Sequence, residues 1–83
     1  MIVVAAGNNK LNLDNHEWYP TKYPHKNIIT VAATNSKDQM WVYGTQGSNY
    51  SAKWVDVAAP GVSIYSTVNS GKYGTKTGTS MAA

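Results

Sequence analysis

Three short apolar runs constrain this chain most: Ile2-Val3-Val4-Ala5-Ala6, Asn27-Ile28-Ile29-Thr30-Val31-Ala32-Ala33 and Trp54-Val55-Asp56-Val57-Ala58-Ala59. Each is rich in β-branched or small residues and is bounded by turn formers: Gly7-Asn8-Asn9 after the first, Thr34 to Asp38 after the second and Pro60-Gly61 after the third. Runs of this length and composition read as buried strands rather than as helices. Near-continuous apolar strands, instead of alternating ones, are what a sheet covered on both faces requires.

Between and after these runs the pattern changes. Val62-Ser63-Ile64-Tyr65-Ser66-Thr67-Val68 alternates and reads as a strand with one apolar face, and Lys72-Tyr73-Gly74-Thr75 reads as the returning arm of a hairpin turned at Asn69-Ser70-Gly71. Met40-Trp41-Val42-Tyr43 reads as a short extended segment, followed by loop from Gly44 to Ala52. Lys10 to Lys26 shows neither helical nor alternating period and reads as a long surface loop, a kind more often functional than idle. Its two Tyr-Pro pairs, Tyr19-Pro20 and Tyr23-Pro24, are candidates for cis bonds. His16 and His25 lie in this loop near Asp14 and Glu17; solvated histidines are the favoured reading there over a metal site. Asn49-Tyr50-Ser51 matches the N-glycosylation sequon.

Composition narrows the function. All seven cationic residues are lysine, scattered from Lys10 to Lys76, and the net charge is only +3. Nucleic-acid recognition leans on arginine forks and clustered charge, so a nucleic-acid partner is not expected. No apolar run approaches the ~20 residues of a membrane span, and no membrane partner is expected. With no cysteine in 83 residues there is neither a disulfide framework nor a thiolate metal site. The chain starts inside a strand-like run and ends inside a nascent helix, so both ends look cut.

Two stretches carry candidate chemistry. In Gly78-Thr79-Ser80-Met81-Ala82-Ala83 a small residue leads into a serine followed by helix formers. This presents the Ser80 hydroxyl near a helix N-terminus, where free N–H groups favour a developing oxyanion. Taken alone, Gly-Thr-Ser before an apolar run is more often a plain helix cap. At the other end, Asn8 follows the first strand, and ligands of open α/β sheets bind outside the carboxyl ends of strands. Local sequence alone favours the plainer role for Asn8, a left-handed turn residue.

Order resolves this ambiguity. Val4-Ala5-Ala6-Gly7-Asn8, Tyr19-Pro20 with the Asn27 to Ala33 run, Val55 to Val62 with its Ala-Ala-Pro-Gly-Val, and Gly78-Thr79-Ser80-Met81-Ala82-Ala83 together resemble the C-terminal half of the catalytic domain of subtilisin-like serine peptidases, the subtilases. The resemblance covers nearly the whole chain. It implies an α/β fold, with residues 1–83 as part of a doubly wound, mostly parallel-sheet domain whose crossover helices are largely missing.

It also implies roles. Ser80 matches the nucleophile that forms an acyl-enzyme, and Asn8 the oxyanion-hole asparagine whose side-chain N–H₂ supplements the Ser80 backbone N–H. Thr79 is a further candidate donor to that oxyanion. Ala5, Ala6 and Gly7 match one wall of the primary specificity pocket and Trp18 its base, where an indole shortens the pocket unless it turns outward. By the same resemblance Tyr19-Pro20 is cis. Asp56 matches a position that helps hold a weak cation in some relatives. No cofactor or metal is expected in this segment, with calcium left to an intact domain, and an extracellular or secretory location follows from the family.

The sequence departs from the family in two ways. Trp41 and Val42 stand where a small residue and a serine are usual, and the connection from Gly47 to Val55 looks slightly long; both imply local repacking. More important, the triad aspartate and histidine motifs, Asp-Ser/Thr-Gly and His-Gly-Thr, do not occur. Without a base a serine hydroxyl is a very weak nucleophile. The reading is therefore part of a serine endopeptidase acting on protein or peptide substrates, inactive and marginally folded alone, with the rest of the catalytic domain needed for the triad. The alternative is a non-catalytic, peptide-binding relative. An α/β-hydrolase elbow ranks last, because an apolar strand should precede it and Lys72 to Thr77 is polar.

Overall fold

The computed structural model describes residues 1–22 and 27–83. Its centre is a parallel three-stranded sheet in the order β1-β2-β5, formed by β1 (Ile2–Ala5), β2 (Ile28–Thr34) and β5 (Val57–Pro60). These are the three apolar runs. The register pairs Ala5 with Val31 and Val31 with Val57, so Val31 lies mid-sheet. Burial follows: Val31, Ala32 and Ala33 are enclosed, while the outer strands leave Ile2, Val3 and Val57 about half exposed.

Among the described residues, neither connection between parallel strands contains an α-helix. After β1 the chain makes a 3-10 turn at Leu13–Asn15, where the Asn12 side chain accepts from Asp14 N–H and Leu13 is fully buried. The loop expected to be irregular thus contributes a core residue. The second connection contains a two-stranded ribbon, β3 (Val42–Tyr43) and β4 (Gln46–Gly47), where the sequence led us to expect extended chain and then loop. The segment read as slightly long includes a turn over residues 52–54, held by Ser51 Oγ, which accepts from Lys53 N–H and Trp54 N–H. This turn delays β5 to Val57, so Trp54 and Val55 precede the strand they were expected to open. Pro60 ends β5 rather than stopping it early. It is tolerated because β5 is an edge strand, bonded only to β2.

The two connections are stapled together. The ammonium groups of Lys22 and Lys53 lie over the Trp54 ring, at 5.2 and 5.1 Å from its centroid, and Lys22 also donates to His16 O. The Tyr19–Pro20 bond is cis, as expected. Tyr23-Pro24 and His25 lie outside the described residues.

The expected hairpin forms as β6 (Ile64–Val68) and β7 (Lys72–Lys76), with Tyr65 and Tyr73 stacked at 5.5 Å. The chain ends in a single helical turn, α1 (Thr79–Ala82), packed on β1, β2 and β5. Close approach of α1 requires Gly61. A Cβ there would come within 2.6 Å of Gly78 O and 2.8 Å of the Ala33 Cβ. Gly78 N–H donates to Gly61 O, fixing the start of the helical turn against the end of β5.

Candidate active site

The sheet's geometry sets a polar problem just past Ala5. β1 stops pairing there while β2 runs on to Thr34, so the β1-facing groups of Ala33 lose their strand partner. Side chain and loop replace it: Ala33 N–H donates to Ser48 Oγ at 2.9 Å, and Trp41 N–H donates to Ala33 O at 3.0 Å. Asn49, with no exposed surface, completes the repair. Its Nδ2 donates to Ala6 O at 2.9 Å, and its Oδ1 accepts from Asn9 N–H and Leu11 N–H. Buried backbone groups need partners, and one amide here serves three. It leaves no room for a glycan, so the sequon at Asn49 is not a modification site.

This knot fixes the backbone of Gly7 and Asn8. Gly7 takes φ +106°, a conformation that side chains other than glycine's disfavour. A Cβ on it would come 2.4 Å from Asn49 Nδ2 and 2.5 Å from Trp18 Cζ2. The Trp18 indole therefore lies directly on Gly7 and does not turn outward. Asn8 itself has no positive φ. Its local role is not the left-handed turn.

Asn8 instead reaches across the chain. Its Oδ1 accepts from Thr79 N–H and from the Thr79 hydroxyl, both at 2.9 Å, and Thr79 Oγ1 accepts from Gly7 N–H at 3.0 Å. With the carbonyl end of the amide fixed, Nδ2 is the end left to donate. Gly78 adds space, because a Cβ there would sit 3.3 Å from Nδ2. The next residue is Ser80, exposed, whose N–H opens a helical turn and has no partner within it.

Two donors and a hydroxyl thus come from adjoining segments. The structure brings Asn8, Thr79 and Ser80 together with Gly7, and Trp18 against Gly7; Ala6 is buried, and Ala5 is partly buried in β1. The hydroxyl proton of Thr79 goes to Asn8 Oδ1, so this side chain orients Asn8. Asn49 gave no signal as a site residue, because a single asparagine in a polar loop has no pattern.

Ser80 opens into a cleft of about 340 Å³ whose other walls include Met81, Ile64, Ser66 and Lys76. No histidine or carboxylate lines it. His16 is exposed, with Nδ1 bonded to Asn12 O. Among the described residues no three His, Cys, Asp or Glu side chains gather as a metal site. Asp56 accepts from Thr30 N–H through Oδ2 at 2.8 Å.

A parallel sheet thus brings an asparagine amide beside a serine at the start of a helical turn. The model described as the subtilase family matches residues 1–83, and the chain belongs to that family of serine peptidases. It is similar to Subtilisin E of Bacillus subtilis (strain 168), 42% identical over 83 residues, which are 99% of this chain and 20% of that protein. Thermitase of Thermoactinomyces vulgaris is 43% identical over 82 residues, covering 99% of this chain and 26% of its own length. The chain thus spans a fifth to a quarter of these relatives. Among solved structures, one from work on subtilase cytotoxin assembly superposes with a TM-score of 0.83 at 30% identity, covering 99% of this chain and 31% of that one.

Proposed function

We propose that this chain supplies the nucleophile, the oxyanion asparagine and part of the specificity pocket of a serine endopeptidase. Ser80 Oγ attacks the scissile carbonyl, its proton passing to a base outside these residues. Negative charge develops on the carbonyl oxygen and is met by Asn8 Nδ2–H and Ser80 N–H. Collapse of the tetrahedral intermediate expels the amine and leaves the acyl group on Ser80, and water then releases it. The observation that carries this reading is the Thr79 clamp on Asn8 Oδ1, which turns the amide's donor end outward.

The first residue on the acyl side is small or short. What supports this is the Trp18 indole lying on Gly7, where the resemblance puts the pocket base. The substrates are proteins or peptides, and the setting is extracellular by family resemblance. Calcium binding belongs to an intact domain and not to these residues.

Alone, the 83 residues are inactive, because among the described residues no histidine or carboxylate lines the cleft at Ser80, and they are marginally folded, because the outer strands leave Ile2, Val3 and Val57 about half exposed. The test is an active-serine phosphonate probe. No adduct is expected on this chain by itself, and stoichiometric labelling at Ser80 is expected in a domain that also provides the aspartate and histidine. Labelling of the isolated chain would defeat the inactivity claim. Absence of labelling in the complete domain would defeat the peptidase reading.

A further inference from the structure

The place of Asn8 depends on a side chain with no exposed surface, that of Asn49. Past the last bond to the sheet, Ala6 N–H to Val31 O at 3.0 Å, the chain leaves β1 and its peptide groups need new partners. Upstream of Asn8, Asn49 Nδ2 donates to Ala6 O at 2.9 Å and Asn49 N–H donates to Gly7 O at 2.8 Å. Downstream, Asn49 Oδ1 accepts from Asn9 N–H at 3.0 Å and from Leu11 N–H at 2.9 Å. One residue thus brackets Asn8 on both sides.

Asn49 is itself held from behind. Ser48 Oγ donates to Asn49 O and accepts from Ala33 N–H, both at 2.9 Å, and Ser48 N–H donates to Trp41 O at 2.9 Å. The bracket therefore stands on the end of β2, the central strand of the sheet. It leaves no slack at Gly7, where a Cβ would fall 2.4 Å from Asn49 Nδ2. Two neighbours divide the control of Asn8. Thr79 bonds to Oδ1 and sets how the amide is turned. Asn49 sets where the backbone that carries the amide stands.

We propose that Asn49 is a positioning residue for peptide-bond cleavage: acting through the backbone on both sides of Asn8, it sets the distance from Asn8 Nδ2 to the carbonyl oxygen on which charge develops. This rests on the peptidase reading. Misplacement of a reacting geometry by about 1 Å costs roughly 10²-fold in rate, so a residue that places the donor is felt in turnover. Asparagine suits the task because one planar amide offers a donor to Ala6 O and an acceptor to the two N–H groups. Aspartate has nearly the same shape and keeps the acceptor. When ionised, it sets a second acceptor against Ala6 O and pushes the bracket apart.

The test uses the intact protein that carries these residues. Asn49→Asp and Asn8→Ala form a double-mutant cycle, read as kcat and KM on a short acyl-anilide. With Asn8 present, Asn49→Asp is expected to lower kcat by about 10- to 100-fold while KM changes by less than about threefold. On the Asn8→Ala background the same substitution is expected to lower kcat by less than about threefold, because no amide is left to aim. Asn49→Ser, smaller and open to a replacing water, gives the same reading where Asn49→Asp does not fold. An equal loss on both backgrounds, a rise in KM with kcat unchanged, or full kcat in a folded Asn49 variant overturns this proposal alone. Failure of the unsubstituted protein to cleave the anilide or any peptide overturns the peptidase reading and this proposal with it.

Discussion

Asn49 and Val3 belong to the same small sheet and its immediate surroundings, yet they meet opposite fates. Asn49 has no exposed surface and both ends of its amide are bonded, whereas Val3, an aliphatic residue in a strand, leaves 52% of its surface to water. The contrast holds region by region. Where the parallel strands end, polar groups are buried and satisfied: Thr79 through Gly7 and Asn8, Ser48 through Ala33 and its neighbour's carbonyl. Along the outer strands β1 and β5, one edge stays unpaired and Ile2 and Val57 are half in water. Hydrogen bonds made within these residues define the site's geometry. The sheet that carries it gains little hydrophobic stabilisation from its own flanks.

That contrast can be broken at the site end. Asn49→Ala leaves Ala6 O without a partner in a buried place and Asn9 N–H and Leu11 N–H without theirs in a part-buried one, and should destabilise by about 2–4 kcal/mol. Urea unfolding measures it. A loss under 1 kcal/mol would mean that water replaces the amide and that the knot is not the determinant described here. Next in size is Gly7→Ala, which combines a strained φ with collision against Asn49 and Trp18, at about 2–4 kcal/mol. The comparison sharpens with Gly71→Ala in the outer hairpin, where φ is +69° but nothing lies within 4 Å. There only the left-handed conformation is penalised, about 1 kcal/mol. Equal losses at the two glycines would erase the distinction between site and periphery.

Apolar runs made β1 and β2 legible because strand composition and strand burial coincide there. The start of β5 was not, since Ser51 turns residues that look like strand, and the hydroxyl's reach is invisible in a hydropathy pattern. Leu13 was equally hidden: one apolar residue in a polar loop has no period to reveal it. For the proposed site, Ser80 and Asn8 stand out in the sequence because their motifs stand in order, and the cis bond at Tyr19-Pro20 because proline announces it. Thr79's effect through Asn8 and the three bonds of Asn49 depend on contacts between residues far apart in sequence, which no local pattern encodes. The ribbon showed itself only as unusual residues at Trp41 and Val42. Its short strands, two residues each, fall below what alternation can signal.

The bond from Gly7 N–H to Thr79 Oγ1 spans 72 positions. A ribosome adding roughly 5–20 residues each second therefore exposes Asn8 some 4–14 s before Ser80 is even made. During that interval the amide lacks the Thr79 clamp that orients it. The geometry of this corner is therefore set in time as well as in space: it closes only when both ends of the segment are present.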